Sequence, residues 1–206
     1  MAKVAIVYYS MTGNTFSVAQ AVEEGARAAG AETRLRKVAE TLPQGVLGGN
    51  AGWQAYARAS GDVPEVALDD LDWADGIVLG APTRYGAMAG QMKLFLDSTG
   101  PLWGQGKLAN KAVAAFTGAQ NPHGGQESTL LGIYNVMYHW GAVITAPGYT
   151  DQSVFASGGN PYGVSFTASR DGHPAPESLA AARYLGGRVA RFAAVLADNR
   201  ARLVAG

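Results

Sequence analysis

The chain contains no cysteine, which removes disulfides, thiolate metal sites and thiol nucleophiles together. Histidine is almost as scarce: His123, His139 and His173 are widely separated and lack HExxH spacing, so metal catalysis is not expected. Charge is low and balanced, with 16 lysines plus arginines against 16 aspartates plus glutamates. Without a basic field, neither nucleic acid nor anionic lipid is an expected partner. Long apolar runs are missing too. The first, residues 4–9, is far shorter than a membrane span or the core of a secretory signal, so no membrane insertion and a cytoplasmic location are expected. There is no GxxxxGK followed by serine or threonine and no GxGxxG at the first turn, which sets aside a nucleotide triphosphatase loop and a dinucleotide fold. No serine, histidine and aspartate stand at a recognisable spacing, so no side chain is expected to serve as a catalytic nucleophile.

What is present suits one globular domain spanning residues 1–206. Apolar residues make up 48% of the chain, enough for a core at a length that one core can serve. Residues 4–9 form a continuous β-branched and aromatic run, the signature of a strand buried on both faces of a parallel sheet. From Phe16, the apolar positions Val18, Ala19, Val22 and Ala26 recur at helical spacing, and Gly30 stands where a helix C-cap is wanted. Further strands are predicted at residues 33–38, 76–81, 112–117 and 143–146, and helices at 87–97, 128–140 and 179–196. The alternation predicts an α/β doubly wound, five-stranded parallel sheet with helices on both faces. Residues 41–65 and 148–176, rich in glycine, proline and small polar residues, are read as long excursions at the sheet's edges.

Between the first strand and first helix lies Ser10-Met11-Thr12-Gly13-Asn14-Thr15. Backbone N–H groups at such a turn face the crevice where open α/β sheets bind ligands. Three hydroxyls and a helix N-terminus can satisfy a phosphate dianion there without lysine or arginine. Pro82 then stops the third strand, and Thr83, Arg84, Tyr85 and Gly86 wrap back over the same crevice, where a guanidinium or ring could border a flat heterocycle. The segment Thr117, Gly118, Ala119, Gln120, Asn121, Pro122, His123 and Gly124 follows the fourth strand, with adjacent glycines that let its backbone approach closely.

The pattern Ser10-x-Thr12-Gly13-x-Thr15 resembles the phosphate loop of the flavodoxin superfamily. Taken with 82–86, 117–126, Gly90-Gln91-Met92-Lys93-x-Phe95-Leu96-Asp97, Gly124-Gly125-Gln126-Glu127 and Asn160-Pro161-Tyr162-Gly163, it resembles the tetrameric NAD(P)H:quinone oxidoreductases of the WrbA family, from Ala2 to the final helix. That resemblance implies a flavodoxin-like fold, noncovalent FMN, NADH or NADPH as electron donor, a quinone as acceptor and a homotetramer. It also implies that FMN is held by the three loops, with 117–125 along the pyrimidine and dimethylbenzene edges. His139 matches a histidine that contacts the flavin, and Trp103 matches the aromatic wall of the substrate site.

Two departures stand out. The 117–125 loop is one residue longer than the usual serine-, threonine- and glycine-rich version, and Thr12 occupies a position that can carry an aromatic implicated in nicotinamide contact. Two other classes of function remain open from the residues: a single-electron carrier of flavodoxin type, which zero net charge disfavours because such carriers are usually acidic, and an FMN-binding scaffold.

Overall fold

The computed structural model describes residues 1–168, 173–199 and 202–203. Its central strands are β1 (Lys3–Tyr8), β3 (Gly76–Arg84) and β5 (Ala112–Ala119), flanked by β2 (Glu32–Lys37) on one side and β6 (Val143–Ile144) on the other. The order is β2-β1-β3-β5-β6, all parallel. Successive side chains in a strand point to opposite faces, so a sheet covered on both sides needs continuous apolar runs. Val4, Ile6, Tyr8, Val78, Ala114 and Phe116 join one core with α1 (Asn14–Ala28) and α9 (Pro176–Asp198). Their neighbours Ala5, Val7, Ile77, Leu79, Val113 and Ala115 join the other with α5 (Gly90–Asp97) and α7 (Gln126–His139).

The edge strand β2 is half-buried and carries two arginines that converge on one carboxylate. Arg34 Nη1 and Arg36 Nε lie 3.1 and 3.0 Å from Asp70 Oδ1 in α4 (Leu68–Trp73), a six-residue helix that packs on the second core through the fully buried Leu71, with Leu68 and Trp73 beside it. The 41–65 stretch, read as an irregular excursion, contains α2 (Gln44–Leu47) and α3 (Ala51–Ala59). The latter docks through Tyr56, whose ring meets Phe16 edge-on at 5.9 Å while Phe16 stacks on Tyr8 at 5.4 Å.

Residues 148–176 also hold more order than expected. The edge strand leaves the sheet after Thr145, whose N–H donates to Val113 O. It passes through α8 (Gln152–Ala156) and returns as β7 (Val164–Thr167), parallel to the second half of β5. The fifth position of the sheet is therefore one strand cut in two by an insertion; residues 169–172 of this stretch lie outside the described residues. The helix expected at 87–97 begins only at Gly90, because Ala87–Met88 form β4, which folds back antiparallel on Thr83 and Arg84. Tyr85 and Gly86 both have positive φ, 55° and 79°, the two-residue hairpin turn whose twist matches its strands.

Candidate functional site

The C-terminal ends of β1, β3 and β5 open into a cavity of about 270 Å³. It lies where the chain switches from building one side of the sheet to the other, the crevice at which open α/β sheets take ligands. Its lining places the phosphate-loop residues Ser10, Met11, Thr12, Asn14 and Thr15 opposite Thr83 and Arg84, with Gly118, Ala119 and Gln120 alongside.

The first loop is built as an anion cradle. Gly13, at φ 95°, turns the chain into α1 and donates its N–H to Ser10 Oγ at 3.1 Å, leaving the Ser10 proton free to donate. Asn14 and Thr15 open the helix, whose first N–H groups have no intrahelical acceptor. Among the lining residues Arg84 alone is charged, and its Nη2 rests 3.6 Å from Met11 Sδ, leaving hydroxyls and helix N–H groups as the loop's own means of holding an anion. Asn14 is 9% exposed, and its Oδ1 is buried without a hydrogen-bond partner. A buried acceptor left unpaired costs about 1–3 kcal/mol, so this cavity calls for a ligand that brings both an acceptor anion and a donor hydroxyl. The ribityl phosphate of FMN has both, and the residues present fit it.

The second and third loops hold each other. Thr83 Oγ1 donates to Gly124 O at 3.3 Å and accepts from Thr129 Oγ1 at 2.8 Å. Gly124 has no room for a side chain, since a Cβ there would fall 2.4 Å from Ala119 Cβ. Thr117 is fully buried and spends its hydroxyl on Ala81 O at 2.7 Å, so its side chain ties β3 to β5 instead of facing the cavity. Asn121, Pro122 and His123 are not part of its lining; His123 N donates to Asn121 Oδ1 at 3.1 Å and Gly124 N to Asn121 O at 3.1 Å. Tyr85 stands fully exposed at the hairpin tip above.

Just below the first loop, Tyr9 Oη donates to Glu40 Oε2 at 2.8 Å, and Gln91 Nε2 to Glu40 Oε1 at 2.9 Å. Burial pushes the Glu40 carboxyl upward, but donors from Leu42 N–H, Tyr9, Gln91 and Thr41 N–H outweigh it and hold the group below its ordinary range. Burial, then the Glu40 contact, raises the Tyr9 phenol, so Tyr9 stays a neutral donor.

Trp103 and His139 meet each other but not the cavity. Trp103 Nε1, on α6 (Gly100–Gly104), donates to His139 O at 2.8 Å. His139 closes α7, whose first residue is beside the third loop and whose 14 residues put its other end about 20 Å away. Sequence reasoning missed Asn50, Phe166 and Ala168, which also line the cavity and come from the two stretches read as excursions.

Residues 2–150 match the family described as NADPH-dependent FMN reductase. A protein of Deinococcus radiodurans named NAD(P)H dehydrogenase (quinone) is 54% identical over 81% of this chain and 84% of its own. One of the same name from Syntrophobacter fumaroxidans is 43% identical over 96% of this chain and all of its own. Among solved structures, a WrbA-like flavodoxin protein from Agrobacterium tumefaciens superposes with a TM-score of 0.69 at 25% identity, covering 95% of this chain and 99% of that one. An archaeal flavodoxin at 20% identity and a TM-score of 0.60, covering 93% and 99%, shares the fold.

Proposed function

The chain belongs to the NADPH-dependent FMN reductase family, and on that premise we propose how its residues serve an FMN-dependent NAD(P)H:quinone oxidoreductase. FMN, when bound, supplies hydride acceptance from NADH or NADPH and two-electron delivery to a quinone. The observation that carries the reading is the cavity itself: hydroxyls and N–H groups at the head of α1, with the buried Asn14 Oδ1 unpartnered among them.

Each segment of the chain has a share. Ser10, Thr12, Asn14 and Thr15 hold the phosphate and the start of the ribityl chain, with the N-terminus of α1 adding its partial positive charge. Thr83 and Arg84 border one side of the ring and Gly118, Ala119 and Gln120 the other, with Met11 filling the floor beside Arg84. Gly13 and Gly124 shape these loops, and Thr117 anchors the third. Asn121, Pro122 and His123 form the rim of that loop. Tyr85 covers the open face. No side chain transfers a proton to or bonds with substrate in this scheme; the chain orients its ligands and excludes water.

Trp103 completes the substrate wall, and His139 contacts the flavin, from a neighbouring copy in a homotetramer. Support comes from Leu94, Trp103 and Tyr138, large apolar side chains on α5, α6 and α7 that are 59, 58 and 64% exposed and of the kind that subunit contacts cover. No helix of the described residues is long and apolar enough to cross a membrane, in keeping with one flavodoxin-like domain working in the cytoplasm.

Anaerobic mixing of FMN-loaded protein with NADPH and, separately, NADH tests the activity. Bleaching of the oxidised flavin band, followed by its return when benzoquinone is added, is expected. FMN that stays oxidised with both nicotinamides would refute the enzyme and leave the carrier or scaffold readings.

A further inference from the structure

We propose that the start of α3 is a second binding element for the phosphate end of FMN, with Asn50 donating into the cavity from its side-chain amide. The proposal rests on the FMN reading above and adds a residue from outside the three loops.

Asn50 is the N-cap of α3, a nine-residue helix. Its Oδ1 accepts from Trp53 N at 2.9 Å, which fixes the amide plane and commits the oxygen. Nδ2 is thereby left as the free end, without a hydrogen bond among the described residues, and Asn50 lines the same cavity as Ser10, Thr12, Asn14 and Thr15. The two segments touch: a Cβ on Gly52 would lie 3.3 Å from Thr12 Cγ2 and 3.3 Å from Asn50 Oδ1. Gly52 thus lets the head of α3 close on the phosphate loop.

Two further observations point to a ligand at this junction. Asn14, 9% exposed, presents an unpartnered Oδ1 in the same lining. The placement of α3 is also firm, because Tyr56 packs on Phe16, the third residue of α1. Aromatic packing thus ties both helices with their N-termini beside one cavity. Two N-termini and two asparagine amides form a cradle suited to a phosphate monoester on a polyhydroxyl chain, with Asn14 Oδ1 taking a ligand hydroxyl and Asn50 Nδ2 giving to the anion.

Asn50→Asp separates capping from ligand contact, because aspartate caps a helix as well as asparagine but puts a carboxylate where the amide donor stood. The probes are FMN and riboflavin, which differ only in the phosphate, titrated into apoprotein by quenching of flavin fluorescence. FMN affinity is expected to fall about tenfold or more, since like charges repel and a donor is lost, while riboflavin affinity stays within about twofold and the apoprotein's melting temperature is kept. An equal loss for both flavins, or no loss for either, overturns the proposal. Should Asn50→Asp fail to fold, Asn50→Ser keeps a cap but has no amide donor, and it is expected to show a smaller loss confined to FMN; its absence overturns the proposal equally. Wild-type protein that binds neither flavin would instead remove the FMN reading itself.

Discussion

Trp103→Ala tests whether the substrate wall is supplied by a second subunit. Within one chain the indole is 58% exposed and makes one hydrogen bond, to His139 O. The bond is worth about 1 kcal/mol net, and the roughly 100 Å² of indole covered by its own chain adds about 2 kcal/mol. A loss of that size leaves a domain of ordinary stability folded. FMN affinity is expected to hold, because the Trp103–His139 pair lies about 20 Å along α7 from the third loop. Quinone turnover is expected to fall about tenfold or more, as it must if a neighbouring copy's indole positions the quinone. Subunit mixing then separates the two arrangements. Thr12→Asp, at an exposed position of the phosphate loop, gives a second inactive parent that has lost FMN but keeps Trp103. After the two parents are unfolded together at equal amounts and refolded with FMN, about a quarter of sites pair an intact loop with a neighbour's tryptophan, half times half, and activity returns. If wall and loop belonged to one chain, no mixed site would be intact. Unchanged turnover in Trp103→Ala, or no recovery on mixing when sedimentation shows mixed oligomers, would refute the reasoning.

The Glu40 network carries a pH prediction. A carboxylate whose folded pKa is depressed contributes stability present above its unfolded value, 4.5, and loses it as pH falls through the folded one. Denaturant titrations are expected to find Glu40→Gln less stable than wild type near about pH 7, with the gap narrowing as pH falls below 4.5; a constant gap would assign the loss to packing. Tyr85 holds a left-handed backbone at φ 55° with its ring in solvent, so Tyr85→Asn, which suits the first position of this hairpin turn, is expected to leave the melting temperature equal or raise it by a few degrees, about 0.5–1 kcal/mol. Steady-state quinone turnover should nevertheless fall, and a variant both more stable and fully active would show that the ring covers nothing.

Parts of the fold were legible because one physical pattern dominated them. β1, β3 and β5 are packed on both faces, so their residues must be apolar almost without interruption, and no other element of this size asks for that. The helix α3 was hidden for the opposite reason: of its nine residues only Tyr56 is buried, and one contact makes no periodicity. Likewise β7 is four residues long, set among glycines and prolines that signal loop. The early start given to the helix at 87–97 has a local cause. Tyr85-Gly86 reads as a loop leaving a strand, and nothing in Ala87-Met88 tells a returning strand from a first helical turn until the antiparallel pairing with Thr83 and Arg84 is seen.

The site divides along the same line, with contiguity deciding what can be read. A phosphate loop binds through consecutive N–H groups and hydroxyls, so the spacing from Ser10 to Thr15 carries its own chemistry. Asn50 and Phe166 reach the same cavity from segments 40 and 156 positions further along than Ser10, and only tertiary packing makes them neighbours. Trp103 and His139 add a third level. Sequence resemblance put His139 against the flavin and Trp103 on the wall of the substrate site, whereas in one chain they are paired with each other at the far end of α7. A motif names the residues a site uses without saying which copy of the chain presents them. The exposed Leu94, Trp103 and Tyr138 of α5, α6 and α7 bear on that question, because large apolar side chains in water cost free energy that a neighbouring subunit would recover. In the proposed assembly, burial of those side chains and completion of the substrate wall would be one event, and weakening the oligomer should remove quinone turnover before it releases FMN.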